Sequence, residues 1–144
     1  MDVSAHDATL AHNKIHRHIS TLARIRQSSN ASPWLRNDEL GLSHIVPLSH
    51  GEGRLVLSQE MYQSLKEKGQ IAYQYVDELN QASMSSLVNV NGSDYAIESL
   101  ISEDGRIIGK MGHSERLAQH CFINSIETKM NTLFENGVRY FKED

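Results

Sequence analysis

The sequence predicts an α/β layered domain, a mixed sheet flanked by helices with a long carboxy-terminal helix, and three features of the 144-residue chain carry that prediction. Strand-length apolar runs are interspersed with segments of helical period. Two of the runs, DYAIESLIS (94–102) and RIIGKM (106–111), stand one turn apart, and a helical period occupies the carboxy-terminal part. A hairpin of that kind places an antiparallel pair in the sheet, so the sheet is expected to be mixed rather than purely parallel, in an α/β or α+β arrangement. The length fits a single domain over 1–144, large enough to bury about 68–70% of its unfolded surface.

Taken in order, Leu10, Ile15, Ile19, Leu22 and Ile25 fall largely at three- and four-residue steps among polar neighbours, which predicts an amphipathic helix from Thr9 to Arg26. The proline of SSNASPW (28–34) closes it, because a proline disfavours the helical state of the residue before it. HIVPLSH (44–50) reads as a strand whose Pro47 belongs at a sheet edge or a strand end. RLVLS (54–58) leads into a short helix, with Ser58 as its cap ahead of Met61 and Leu65 and Gly69 as its left-handed stop. QIAYQYVD (70–77) is a further strand. In the hairpin that follows, Gly105 of EDG is free to take a positive φ. After His113, Leu117, Cys121, Ile123, Ile126, Met130, Leu133 and Phe134 recur near the helical period and predict the long terminal helix, ending near Gly137.

Composition excludes several classes of function. Fourteen Lys and Arg against eighteen Asp and Glu give a formal net charge of −4 without a long run of either sign, so neither a nucleic-acid footprint nor a polybasic membrane patch is present. Small-molecule or protein partners are expected. One cysteine forms no internal disulfide, no apolar stretch approaches the ~18 residues that span a bilayer, and the amino terminus lacks an apolar signal core, so the cytosol is the expected compartment. The Asn-x-Ser triplets at Asn30 and Asn91 accordingly read as loop chemistry rather than glycan acceptors.

Two segments carry polar groups in places suited to chemistry. In GKMGHSER (109–116), His113 and Glu115 follow a strand and precede a helix, where side chains are exposed on a backbone held by rigid elements. The plain alternative is a helix start, with Ser114 as cap and Glu115 meeting the helix dipole. In SHGEGR (49–54), Gly51 and Gly53 let the backbone approach another surface, and His50, Glu52 and Arg54 crowd a strand end; a ligand-facing loop and a solvated turn are both consistent with that pattern. The glycine spacing matches neither a P-loop nor a dinucleotide fingerprint. His12, His16 and His18 read as a polar helix face, and without nearby acidic or cysteine ligands no metal site is expected. Cys121 falls on the apolar stripe of the last helix and reads as a small buried hydrophobe, not as a nucleophile on a glycine-flanked turn.

An ordered series of motifs does match a known pattern. SPWL (32–35), VPLSHGEGRLV (46–56), GQIAYQYVD (69–77), NVNGS (89–93), AIESLISEDGRIIGKMGHSER (96–116) and GVRYF (137–141) resemble the carboxy-terminal end of phosphoribosylformylglycinamidine synthase, a large enzyme of purine biosynthesis, and NKIHRHISTLARIRQSSN (13–30) is similar to the segment preceding them. The resemblance implies the carboxy-terminal part of a class I glutamine amidotransferase domain, which releases ammonia from glutamine for a separate ATP-dependent synthetase site. It implies that His113 is the general base and acid and Glu115 its orienting carboxylate in a Cys-His-Glu triad, and that His50, Gly51, Glu52 and Arg54 belong to a loop lining the glutamine pocket.

The chain also departs from that pattern. The family's nucleophile sits on a Gly-x-Cys turn amino-terminal to everything matched, and no such segment occurs, so the expectation is an incomplete domain without its nucleophile. ATP and magnesium belong to the family's synthetase region, so this chain is expected to carry no cofactor. The expected partners are glutamine and the polypeptide bearing the synthetase or the remaining glutaminase half, with self-association as another cover for an incomplete sheet. An alternative reading is a catalytically inactive glutamine-pocket or assembly module. Val90 stands where the family commonly has proline, and so does Ser114.

Overall fold

The computed structural model describes residues 8–117 and 132–142. Strand β1 (Ala8–Ala11) pairs antiparallel with β4 (Arg54–Leu57) as a two-stranded sheet. The main sheet has the order β3-β2-β5-β6-β7, built from β2 (Ile19–Gln27), β3 (Ser43–His50), β5 (Ile71–Tyr75), β6 (Ile97–Ile101) and β7 (Ile108–Lys110). Helix α1 (Gln59–Glu67) follows β4, and α2 (Leu133–Lys142) lies at the carboxy-terminal end. The hairpin that set the expectation for the sheet is present, and every pairing among the described strands is antiparallel.

The first helix is not formed. In its place β1 and β2 flank a loop in which His16 takes a φ of +51°. The reason lies in ISTLARIRQ, where Ile19, Thr21 and Ile25 are β-branched and a period of two competes with the period of 3.6. Ala23, Ile25 and Gln27 point into the core, whereas Leu10, Ile15 and Leu22, three of the residues that defined the supposed helical stripe, stay more than 40% exposed. The histidines at 12, 16 and 18 therefore share no helix face.

Other elements form where their signals lie. Ser58 caps α1 by accepting from the Met61 amide at 3.1 Å, and Gly69 ends it with a φ of +66°. Pro47 lies within β3, an edge strand, where a missing donor is tolerated. Gly105 turns the β6–β7 hairpin with a φ of +72°; Asp104 receives the Arg106 amide and Ser102 the Ile107 amide, so the turn satisfies its own backbone.

The expected helical stretch around Cys121, Ile123, Ile126 and Met130 lies outside the described residues. Helix α2 does not end near Gly137 but continues to Lys142. That glycine is a packing site instead: a Cβ there would come 2.2–2.8 Å from the Trp34 ring. Asn136 donates to the Trp34 carbonyl at 3.1 Å, so the SPWL turn and α2 are docked by one ring and one amide.

The core has two clusters: Ile25, Val46, Leu48, Tyr73 and Tyr75 belong to one, and Leu55, Leu57, Leu65, Ile71 and Ile97, from β4, α1, β5 and β6, form the other. β3 and β7 are opposite edges, yet the His113 amide just beyond β7 donates to the Pro47 carbonyl of β3 at 2.8 Å, so the sheet curls back on itself. Among the described residues no helix is long and apolar enough to cross a membrane.

Candidate active site

The curl of the sheet places His113. Strand β7 delivers the chain to the Pro47 carbonyl, and a 3₁₀ turn over Ser114–Arg116 then folds residue 115 back toward 113. His113 itself, not Ser114, takes the position before that turn, and its side chain does not cap it. The imidazole is engaged elsewhere: Nδ1 lies 2.6 Å from Glu115 Oε1. Arg116 Nε approaches the same oxygen at 3.7 Å.

With the carboxylate accepting from Nδ1–H, Nε2 is the nitrogen with a free lone pair, the arrangement of a base whose orientation is set from behind. Burial pushes the Glu115 carboxyl upward, but its own backbone amide, the His113 hydrogen bond and the His113 and Arg116 charges outweigh this and hold it below the usual carboxylate value. A cavity of about 480 Å³ opens beside the pair, walled by Trp34, Lys110, Gly112, Leu133 and Phe134 together with His113.

The SHGEGR loop is a built structure rather than a solvated turn. Asn13, wholly buried, pins it: its side-chain oxygen receives the Gly53 amide at 3.2 Å and meets His50 Nδ1 at 3.0 Å, and its amide donates to the His50 carbonyl at 2.7 Å. From the other side Asn91 donates to the Gly53 carbonyl at 2.7 Å and to the Tyr75 hydroxyl at 3.0 Å, while Ser93 receives the Leu55 amide at 3.1 Å. Gly53 is required because a Cβ there would lie 2.2–2.6 Å from the His50 ring. The NVNGS segment thus owes its form to buried side-chain hydrogen bonds and does without a proline at Val90.

Within this loop the side chains differ in role. Glu52 points outward, 3.4 Å from His12, in a pair more than two-thirds exposed. His50 Nε2 and Arg54 Nε are buried without a hydrogen-bond partner among the described residues. Burial lowers the His50 pKa, with smaller lowering by the charges of His18 and His113. Gly51 contributes its carbonyl, which receives the Asn13 amide at 2.9 Å.

Two features of the candidate site escaped the sequence. Asn13 and Asn91 are remote from the loop they hold, and Glu98 in β6 touches the segment before His113. The one available signal was Glu98 itself, an acidic residue amid AIESLIS, where a buried strand favours apolar residues. Among the described residues no group of three or more His, Cys, Asp or Glu converges as a metal site.

Residues 1–141 match the family model described as the CobB/CobQ-like glutamine amidotransferase domain. The chain is similar to the phosphoribosylformylglycinamidine synthase subunit PurQ of Chlorobaculum tepidum, 30% identical over 113 residues that cover 78% of this chain and 47% of that protein. It is also similar to the subunit of the same name from Methanococcus maripaludis, 43% identical over 72 residues that cover 49% of this chain and 27% of the relative. The fold resembles the solved PurLQS structure from Thermotoga maritima with a TM-score of 0.69 and 22% identity, covering 96% of this chain and 55% of that chain, a likeness of fold alone. The chain thus spans less than half the length of the curated relatives it matches. A matched model over nearly all its residues, joined to a layered sheet that ends in an oriented imidazole, places this chain in the CobB/CobQ-like glutamine amidotransferase domain family.

Proposed function

We propose that this chain supplies the base and the orienting carboxylate of a glutaminase that feeds ammonia to phosphoribosylformylglycinamidine synthase in purine biosynthesis. The observation that carries the reading is the 2.6 Å contact between His113 Nδ1 and Glu115 Oε1 beside an open cavity. The relatives named for the PurQ subunit supply the reaction.

A cysteine thiol near pKa 8.5 is a poor nucleophile at neutral pH until an imidazole takes its proton. His113 Nε2 takes it, and Glu115 stabilises the imidazolium that forms. The thiolate attacks the side-chain amide carbon of glutamine. Collapse of the tetrahedral intermediate breaks the C–N bond, and the imidazolium proton leaves with the ammonia. Water, deprotonated by His113, then hydrolyses the glutamyl thioester to glutamate and returns the proton to sulfur. Such proton transfers contribute about 10²–10⁴-fold to rate. His50 and Arg54, each with a buried nitrogen that has no hydrogen-bond partner among the described residues, are the loop groups proposed to meet glutamine or an adjoining surface, on a backbone shaped by Gly51 and Gly53 with Glu52 at its rim.

The nucleophile is taken to come from outside these 144 residues, because the single cysteine, Cys121, has no flanking glycine in the sequence of the kind a nucleophile turn needs. The second reading, a binding or assembly module without activity of its own, is favoured by that same single cysteine. In the full assembly the ammonia is consumed at a synthetase site that uses ATP and magnesium to amidate formylglycinamide ribonucleotide, so the partner is the polypeptide carrying that site or the remaining glutaminase half.

The test is ammonia release from glutamine by this chain alone and by Cys121→Ala. Background turnover in both is expected. Robust turnover that disappears in Cys121→Ala would make Cys121 the nucleophile and overturn the assignment.

A further inference from the structure

Glu98 is the one fully shielded carboxylate among the described ion pairs, its side chain at 0% exposure at the second position of β6. Lys110 Nζ compensates it at 3.1 Å, itself only 11% exposed and lying 5.2 Å from the Tyr73 ring centre. A buried ion pair of this kind is poor evidence of a stabilising device, because desolvation of two charges offsets their attraction, and an apolar pair of the same volume often serves stability as well. What the carboxylate touches is more informative than its presence.

Glu98 Oε1 receives the Gly112 amide at 2.5 Å, the amide next to His113. The Glu98 carbonyl receives the Met111 amide at 3.2 Å, and the Pro47 carbonyl receives the His113 amide at 2.8 Å. Every amide from 111 to 113 is therefore held, and Glu98 holds two of them. Residue 112 has no room for a side chain for the same reason: a Cβ would lie 2.6 Å from Val46 and 2.8 Å from Glu98 Oε1. A hydrogen bond from a backbone amide to a carboxylate is shorter and stronger than one to a neutral acceptor, which suits an anchor that must fix one peptide plane.

We propose that Glu98, its charge balanced by Lys110, is a positioning residue for His113: by gripping the Gly112 amide it holds the peptide before His113 in the arrangement that delivers Nδ1 to Glu115 and leaves Nε2 free for proton transfer. This rests on the reading of His113 and Glu115 as the base and its orienter. Glu98 touches no reacting atom.

The experiment compares two double variants of this chain that both remove the buried charges. Glu98→Gln/Lys110→Met keeps a side-chain oxygen for the Gly112 amide, and Glu98→Ala/Lys110→Met removes it. The readout is the share of His113 in the Nδ1–H tautomer, taken from its ring ¹⁵N shifts near neutral pH, a quantity that general loss of stability does not move while the fold persists. The Gln variant is expected to keep the wild-type majority, and the Ala variant to lose it several-fold. Equal shares in both doubles, whether retained or lost, would overturn the proposal. If the Ala variant fails to fold, hydrogen exchange of the wild-type Gly112 amide decides: protection matching the β6–β7 amides is expected, and exchange at the rate of an open amide would overturn the clamp. The tautomer and exchange results stand whether or not the assembled enzyme releases ammonia, so a failure of the glutaminase reading is separately visible.

Discussion

His113 and Glu115 stand two residues apart, and the strength of the pair depends on which atom the carboxylate meets. With Oε1 accepting from Nδ1, the imidazole is held in the tautomer that a base needs. Glu115→Gln replaces an acceptor by a group that also donates and removes the charge facing the imidazolium, so in the assembled enzyme kcat is expected to fall about 10²–10⁴-fold with KM little changed. Steady-state kinetics checks this. The pH dependence has a definite sign. A carboxyl held below its ordinary 4.5 keeps its contact above that value and loses it only as pH falls through the lowered folded pKa, so Glu115 contributes no acid limb near neutrality. A wild-type activity loss between pH 5 and 7 would come from another group.

At the scale of elements, the docking of α2 rests on the close approach of Trp34 to Gly137. Two effects oppose each other in Gly137→Ala: helix propensity favours alanine by about 1 kcal/mol, while forcing a methyl against a packed ring costs about 1–3 kcal/mol. Packing wins because the obstruction is the rigid indole, and a net loss of stability in denaturant unfolding is expected. A gain would show that the ring moves aside. The same scale separates what the sequence made legible from what it did not. Helix α1 was legible because Ser58 and Gly69 act through local backbone bonds, and the β6–β7 hairpin because Gly105 and its neighbours close their own turn. Strand β2 was misread because Ile19, Leu22 and Ile25 satisfy a helical spacing by coincidence, and only pairing with β3 and β5 decides between the two periods. The His113–Glu115 contact lies within one contiguous motif. Asn13 and Glu98 were not legible, because each acts on a segment reached only after the chain has folded.

For the whole molecule, the buried face of the sheet makes stability depend on pH. His44, buried against Tyr73, has its pKa lowered from 6.5 to about 4, first by burial and then by the charge of Lys110. The unfolded chain therefore takes up a proton on His44 below pH 6.5 while the folded one resists it until about 4, so stability is lost as pH falls across that window. At 1.36 kcal/mol per unit the loss amounts to about 3 kcal/mol by the bottom of the window. His44→Phe is expected to flatten that part of the curve, as followed by urea unfolding at pH 7, 5.5 and 4; an unchanged slope would place the acid sensitivity elsewhere.

On the proposed reading this chain holds one part of a divided active site: a base and its orienter, awaiting a thiol. The most direct measurement mixes the purified chain with a polypeptide bearing the remaining glutaminase half and follows ammonia release from glutamine, using wild type, His113→Ala and Cys121→Ala. Turnover is expected only in the mixture, retained in Cys121→Ala and reduced by about 10³-fold or more in His113→Ala. Turnover in the mixture that survives His113→Ala would contradict that reading.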